Sequence, residues 1–110
     1  MEELYQRIET LLNDELLFRN PELTLMDLTK ELASNRLYVS RAINQNCGMS
    51  FTQYICRKRI DYAIALMHEK PAMSLDGIAT ESGFASGRTF ARKFKEVMGE
   101  TPADYRASHP

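Results

Sequence analysis

Hydrophobic residues recur every three or four positions through most of the chain, which is the spacing of a helix with one buried face. The longest uninterrupted stretch covers residues 50–68, where Ser50 can cap the helix start and no Gly or Pro occurs. A helix over this stretch would be about 28 Å long at about 1.5 Å per residue. Its apolar face is predicted to contain Phe51, Ile55, Ile60, Ala63 and Met67.

Shorter amphipathic stretches lie on both sides of residues 50–68. The pattern predicts further helices over residues 1–18, 25–32, 36–46, 75–81, 87–98 and 103–107. Five polar residues stand where they can cap helix starts, namely Thr24, Asn35, Ser74, Ser86 and Thr101. Helix ends and turns are predicted at Asn20-Pro21, Gly48, Gly83 and Gly99. The predicted fold class is therefore all-α, with about seven helices.

The two halves of the chain form an internal repeat. Leu28 and Ile78 are 50 positions apart, so the second copy has one more residue in its turn. Later pairs share an offset of 51, namely Arg41 and Arg92, Gly48 and Gly99, Ser50 and Thr101, and Tyr54 and Tyr105. Each copy has two short helices joined by a tight turn, which is a helix-turn-helix pattern. We divide the chain into residues 1–49, an N-terminal helix with the first motif, a linker helix 50–68, and residues 69–110 with the second motif.

Charge is distributed unevenly, although the net charge is only −1. Residues 1–32 carry eight acids and three bases, whereas residues 33–110 carry seven acids and eleven bases. Two stretches, 33–46 and 82–95, contain bases and no acid. Because affinity for phosphate groups depends on the local field, these stretches favour a nucleic-acid partner despite the total.

Other classes of protein fit the sequence poorly. No apolar run approaches the ~18 residues that span a membrane, and the acidic N-terminus lacks signal-peptide features, so we expect a cytoplasmic protein. Cys47 and Cys56 match no zinc or redox spacing and are expected to be buried small hydrophobic residues. His68 and His109 are far apart, and no catalytic triad, phosphate loop or metal-ligand spacing occurs. We expect no catalysis, metal or cofactor.

Residues 83–106, GFASGRTFARKFKEVMGETPADYR, resemble the C-terminal signature of AraC/XylS-type transcriptional regulators. That signature is roughly G-F-x-S-x-S-Y-F-x-R-x-F-K followed by G-x-T-P-x-x-Y-R. The resemblance covers about residues 24–106 and implies two helix-turn-helix units joined by a long helix. It also implies that the second helix of each unit enters the major groove, in consecutive segments on one face of the DNA. Upstream it rests on Ser40-Arg41, Gly48, Ser50-Phe51, Tyr54-Ile55, Arg59-Ile60 and Ala63.

The sequence departs from the family pattern in three places. Arg88 stands where a small polar residue is usual, so a contact of different reach is expected there. Ile43-Asn44 replaces the commoner Phe-Lys, which removes one phosphate-binding cation. The acidic first helix lies outside the signature.

The predicted DNA-binding residues lie opposite the expected core faces of the two second helices. By resemblance, Leu37, Ser40 and Arg41 occupy base-reading positions. Arg can bind guanine, Asn can bind adenine and Leu can cover a thymine methyl group, whereas Lys93 and Lys95 are expected to contact phosphates. The complete prediction is Arg36, Leu37, Ser40, Arg41 and Asn44 in the first motif, and Gly87, Arg88, Thr89, Arg92, Lys93 and Lys95 in the second.

Several of these residues have a structural alternative. Leu37 could belong partly to the core, Arg41 could pair with an acid, and Tyr38 could contact a phosphate or pack against the first helix. Gly87 could allow close approach to DNA or could simply be tolerated near the cap. The run Arg57-Lys58-Arg59 is interpreted as a solvated face, with Arg59 alternatively paired with an acid. The expected core around the two motifs is Leu32, Val39, Ile43 and Phe51, then Phe84, Phe90, Phe94 and Val97.

The function expected from these patterns is sequence-specific binding of double-stranded DNA that regulates transcription. The domain is expected to be monomeric and to form the output end of a longer polypeptide with a sensory or effector domain, and RNA polymerase is a further expected partner. The linker helix would hold two reading units at a fixed separation, near the ~34 Å of one DNA turn. A helical adaptor that makes only protein contacts is the alternative, and salt-dependent DNA binding distinguishes the two.

Overall fold

The computed structural model describes residues 2–109, which form helices joined by short connections, and no strand occurs among them. The helices are α1 Glu2–Glu15, α2 Leu25–Glu31, α3 Arg36–Cys47, α4 Phe51–Glu69, α5 Leu75–Glu81, α6 Gly87–Met98 and α7 Pro102–Ser108. A single 3₁₀ turn, Leu17–Arg19, follows α1. The expected all-α fold with seven helices is confirmed. Within the described residues, no helix is both long and apolar enough to cross a membrane.

The helix starts are set by side chains that accept hydrogen bonds from free backbone N–H groups. Thr24 and Asp27 form a reciprocal pair at α2, in which each side chain accepts from the other residue's backbone N–H, at 3.1 and 3.0 Å. Ser50 and Gln53 make the same arrangement at α4. The remaining predicted caps are confirmed, because each accepts from the N–H three residues later, at Asn35, Ser74, Ser86 and Thr101.

The chain divides into two compact units, Met1–Ile55 and Cys56–Pro110, which we call the first unit and the second unit. In the first unit, α1 packs on α3 through its apolar face, where Ile8 and Leu12 are fully buried. Arg7 Nη2 donates a hydrogen bond to the Leu32 carbonyl at 3.0 Å, which connects α1 to the end of α2. The remaining core of this unit consists of Phe18, Leu28, Leu32, Val39, Ala42, Ile43, Tyr54 and Ile55.

A polar contact fastens α1 to the first turn of α4 inside this unit. The Tyr54 hydroxyl donates a hydrogen bond to Glu9 Oε1, and the Tyr5 ring lies 6.2 Å from the Tyr54 ring. Burial, followed by the Glu9 carboxylate, raises the pKa of Tyr5 to about 12 and that of Tyr54 further above its usual value. These three side chains, Tyr5, Glu9 and Tyr54, are called the polar clamp below.

The second unit has an aromatic core. Ring centroids are 5.2 Å apart for Phe84 and Phe90, 5.6 Å for Phe90 and Phe94, and 5.4 Å for Phe94 and Tyr105. Aliphatic residues of α4 and α5 complete this core, namely Ile60, Ala63, Leu66, Met67, Ile78 and Ala79. Arg106 Nη1 donates to the Met73 carbonyl at 2.7 Å, so α7 is held to the segment before α5.

The first helix is shorter than its sequence pattern predicts. It ends at Glu15 rather than at the predicted Phe18, because Leu16 adopts a left-handed conformation at φ 53°. The chain then turns through the 3₁₀ segment and buries Phe18. Residue 1 of the predicted helix lies outside the described residues. All other helix boundaries agree with the predictions to within one residue.

Four residues are less buried than expected. Val97 is 37% exposed, because the half-buried Met98, four residues after Phe94, continues the buried face of α6 in its place. Phe51 is half-buried at the start of α4. Cys47 and Cys56 are free thiols and also only half-buried, and this burial raises the pKa of Cys56.

Candidate nucleic-acid interface

The second helix of the first unit, α3, has one buried face and one exposed face. Val39, Ala42 and Ile43 have no exposed surface and fix the orientation of the helix in its unit. The cap at Asn35 begins the helix, and Gly48 ends it at φ 69°. All five residues predicted for this motif are therefore exposed on the opposite side, namely Arg36, Leu37, Ser40, Arg41 and Asn44.

The structure decides two of the alternatives for α3. Leu37 is 54% exposed, which excludes a place in the core. Arg41 is exposed and forms no ion pair within residues 2–109, so its guanidinium is available to a ligand. Tyr38 is 50% exposed and lines a hollow with Glu3, Leu4 and Arg7 of α1. The ring therefore lies beside the first helix, and a phosphate contact of Tyr38 stays a prediction.

Helix α6 repeats this arrangement in the second unit. Phe90 and Phe94 are buried, and the exposed side carries Arg88, Arg92 and Lys95. The remaining predicted residues, Gly87, Thr89 and Lys93, are half-buried. Thr89 takes part in the helix cap, because its N–H donates to Ser86 Oγ and its hydroxyl accepts from the Ser86 hydroxyl, both at 3.1 Å.

Glu96 is a neighbour of the basic face that the predicted set omits. Its carboxylate lies 3.7 Å from Arg92 Nη1 and 3.6 Å from Lys93 Nζ. It was missed because it directly follows the acid-free stretch, although spacings of three and four residues on a helix signal such pairs. Arg92 and Glu96 are both more than half exposed, so this pair contributes little and a DNA phosphate can compete for the cations.

Gly87 has a neighbour that neither sequence alternative included. The carboxylate of Asp76, from the first turn of α5, lies directly against it at the start of α6. No local sequence signal indicates this contact, because the two residues belong to different helices.

The basic run at the middle of α4 is only partly a solvated face. Arg57 Nε pairs with Asp61 at 3.2 Å and is exposed, as expected. Arg59 instead lies over the Phe84 ring, 6.0 Å from its centroid, and burial lowers the pKa of its guanidinium. Its contact with the core identifies Arg59 as a packing residue of the second unit. Across residues 2–109, no three metal-ligating side chains form a group that could hold an ion.

Comparison with known proteins gives the same picture of the fold. A family model described as a helix-turn-helix domain matches residues 28–108, a range that excludes α1. The uncharacterized transcriptional regulatory protein YesN of Bacillus subtilis (strain 168) is 35% identical over 98 residues, which are 87% of this chain and 26% of YesN. The chain thus spans about a quarter or less of the length of the curated relatives it matches.

Two solved structures are similar over nearly the whole chain. The C-terminal domain of AraT, a response regulator from Geobacillus stearothermophilus, has a TM-score of 0.86 and 27% identity, covering 96% of this chain and 84% of that one. The DNA-binding domain of AdpA, solved in complex with a target DNA, has a TM-score of 0.83 and 21% identity, covering 96% and 91%. At that identity the second likeness shows a shared fold.

Proposed function

This chain belongs to the AraC-type family of helix-turn-helix DNA-binding domains, and we propose that α3 and α6 are its two reading helices on double-stranded DNA. The observation that carries the proposal is the matching exposure of both helices. Each buries an apolar face in its own unit and turns arginines to solvent, Arg36 and Arg41 on α3 and Arg88 and Arg92 on α6. A helix with this division can enter a major groove without losing its packing.

The exposed side chains divide into readers and positioners by their chemistry. Arg41 and Arg92 occupy equivalent places in the repeat, and each guanidinium can donate two hydrogen bonds to the O6 and N7 atoms of a guanine. Asn44 can pair with adenine, and Leu37 can cover a thymine methyl group. Lys93 and Lys95 carry compact charges that suit phosphate contacts, which fix position without specifying sequence.

We propose further that α4 serves as the linker between the two reading units and that the domain binds as a monomer, with a separate half-site for each helix. The chain is the output domain of a longer cytoplasmic regulator. The fraction of YesN that it covers and its likeness to a response-regulator C-terminal domain support this arrangement. A fused sensory or effector domain would then control DNA binding, and RNA polymerase is the partner through which the bound regulator would alter transcription. This function is one of binding, without catalysis.

Selection of binding sites from random DNA, with affinities measured over a series of salt concentrations, tests the proposal. Arg41→Ala and Arg92→Ala should each relax the preference at a few adjacent base pairs and cost about 1–3 kcal/mol of specific binding. Lys95→Ala should weaken binding to all sequences alike and reduce the salt slope by about one.

Lys70→Ala is the matched control, because Lys70 is also an exposed lysine but lies between α4 and α5. It should leave both the selected sequence and the salt slope nearly unchanged. An Arg41→Ala protein that selects the unchanged sequence would contradict the assigned reading role. Affinity independent of salt would favour the adaptor alternative.

A further inference from the structure

The carboxylate of Asp76 occupies the space in which a side chain at position 87 would begin. A β-carbon built on Gly87 would overlap Asp76 Oδ1 and would lie 3.3 Å from Asp76 Cγ. Real β-carbons almost never come within 3.0 Å of such an atom, so a side chain at position 87 and this carboxylate cannot share the space. The first position of α6 therefore presents the side chain of Asp76, from α5, in place of one of its own.

This carboxylate is at the end of α6 where a reading helix meets base edges, because recognition helices contact bases with their N-terminal residues. Asp76 is exposed. No basic side chain within residues 2–109 forms an ion pair with it, and the one side-chain hydrogen bond at this residue is made by the Thr80 hydroxyl, which donates to the Asp76 backbone carbonyl. The carboxylate oxygens are thus free to accept from a ligand.

An ionised carboxylate accepts hydrogen bonds and donates none. In the major groove, the exocyclic N4 amino group of cytosine is the donor that acidic side chains recognise, whereas guanine presents two acceptors. A phosphate would be repelled by the same charge. We propose that Asp76 is a specificity-determining residue of the second unit and selects a cytosine at the base pair next to the start of α6.

The first unit has the opposite chemistry at the equivalent place. Arg36 begins α3 as Gly87 begins α6, and Met26 stands where the repeat places Asp76. Both Arg36 and Met26 are exposed. Arg36 can only donate hydrogen bonds, so it suits the acceptors of guanine or a phosphate. The two reading helices would therefore require opposite hydrogen-bonding partners at their first positions.

The inference rests on the proposed use of α6 as a reading helix. A purely structural role is the alternative, because Asp76 also lies in the first turn of α5, where an acid interacts favourably with the helix dipole. That role would change the melting temperature and would leave the selected DNA sequence unaltered. The two roles therefore differ in what they predict for base preference.

The test measures base preference and affinity for random DNA in Asp76→Ala, Gly87→Ala and the double variant, at fixed salt. Asp76→Ala should lower the preference for cytosine at one base pair by about five- to twentyfold, in the lower part of the range for one base contact. It should also strengthen binding to random DNA, because a negative charge near phosphates is removed. Removing a cation from the same surface would instead weaken binding to random DNA.

Gly87→Ala should reproduce the loss of preference, because its β-carbon displaces the carboxylate. In the Asp76→Ala background it should add nothing, since the nearest remaining atom is the Cα of residue 76, at 4.0 Å. Asp104→Ala is the matched control, because Asp104 is another exposed aspartate in the first turn of a seven-residue helix. It should leave the selected sequence unchanged.

An unchanged cytosine preference in Asp76→Ala would overturn the inference, even if binding to all sequences became stronger. Additive effects of the two substitutions would overturn the proposed displacement. The Arg92→Ala variant separates this failure from a failure of the proposed function. If Arg92→Ala alters the selected sequence and Asp76→Ala does not, α6 reads DNA without Asp76, and if neither does, α6 is not a reading helix.

Discussion

In the first unit the turn between α2 and α3 passes through Ala33 at φ 50°, and in the second unit the equivalent turn passes through Gly83 at φ 96°. Both turns make the same pair of backbone hydrogen bonds. The left-handed residue donates to the carbonyl three residues earlier, and the next residue donates to the carbonyl five residues earlier. The second turn has one further residue, Ala85, before its cap. The two turns thus share one backbone conformation although their sequences differ.

The side chains that stabilise the two units differ. Tyr54 and Tyr105 occupy equivalent positions, yet Tyr54 donates to a carboxylate in the polar clamp and Tyr105 packs against Phe94. The Tyr105 ring also stacks on His109, at 4.0 Å between centroids. The repeat therefore preserves helix caps and turn geometry, whereas the side-chain interactions that stabilise each unit differ. Substitutions at equivalent positions should therefore have unequal effects.

The largest expected effect is the loss of an aromatic ring from the second unit. Phe94→Ala removes a fully buried ring that contacts Phe90 and Tyr105, so it should lower the free energy of unfolding by about 3–5 kcal/mol. Denaturant unfolding measures the loss, and hydrogen exchange should show the greatest loss of protection in α5 to α7. Val97→Ala, on the exposed side of the same helix, should stay within about 0.5 kcal/mol. Equal losses for the two variants would mean that the aromatic core is wrongly assigned.

A smaller difference is expected between the two equivalent tyrosines. Tyr54→Phe leaves the partly buried Glu9 carboxylate without this donor and should cost about 1–3 kcal/mol. Tyr105→Phe should cost less than about 0.5 kcal/mol, because within residues 2–109 its hydroxyl makes no hydrogen bond. Thermal unfolding of both variants at neutral pH tests the contrast, which would be refuted by equal melting temperatures.

The polar clamp also predicts a pH dependence. Tyr5 and Tyr54 have pKa values raised above the ordinary 10.0 in the folded protein, to about 12 for Tyr5. These raised pKa values contribute fully to the free energy of unfolding well below pH 10, where the tyrosines are protonated in both the folded and the unfolded chain. It should fall as pH rises above 10, because the tyrosines of the unfolded chain ionise first. Tyr54→Phe should flatten this decline, and an unchanged alkaline profile would argue against the clamp.

Modest effects of opposite sign are expected at the left-handed turn residues. Gly83→Ala places a β-carbon at a buried position with φ 96° and should cost about 1–2 kcal/mol. Ala33→Gly relieves the same kind of strain in the first unit but makes the unfolded chain more flexible, so it should gain less than about 1 kcal/mol. Unfolding in urea measures both changes. Effects of the same sign would show that the two turns are not equivalent.

The sequence by itself determined the helices, their caps and the repeat, because these depend on interactions within about four residues. The capping residues each bind an N–H three positions away, and a glycine in the left-handed conformation ends α3 and α6. The exposed faces of α3 and α6 followed from the same local periodicity. For this reason the exposed basic residues of both helices could be predicted, although Gly87, Thr89 and Lys93 are half-buried and the DNA contacts of the whole set stay predictions.

Only the tertiary structure decided which residues from distant segments meet. Leu16 ends α1 although no glycine or proline stands at that point of the chain. Tyr54 donates a hydrogen bond to Glu9, which lies 45 positions earlier. Arg59 belongs to a basic run that the sequence predicts to be solvated, but its side chain lies over the Phe84 ring. The carboxylate of Asp76 reaches Gly87 because the turn between α5 and α6 brings the starts of two helices together. Such contacts depend on how helices pack, and packing brings together side chains that no local periodicity relates.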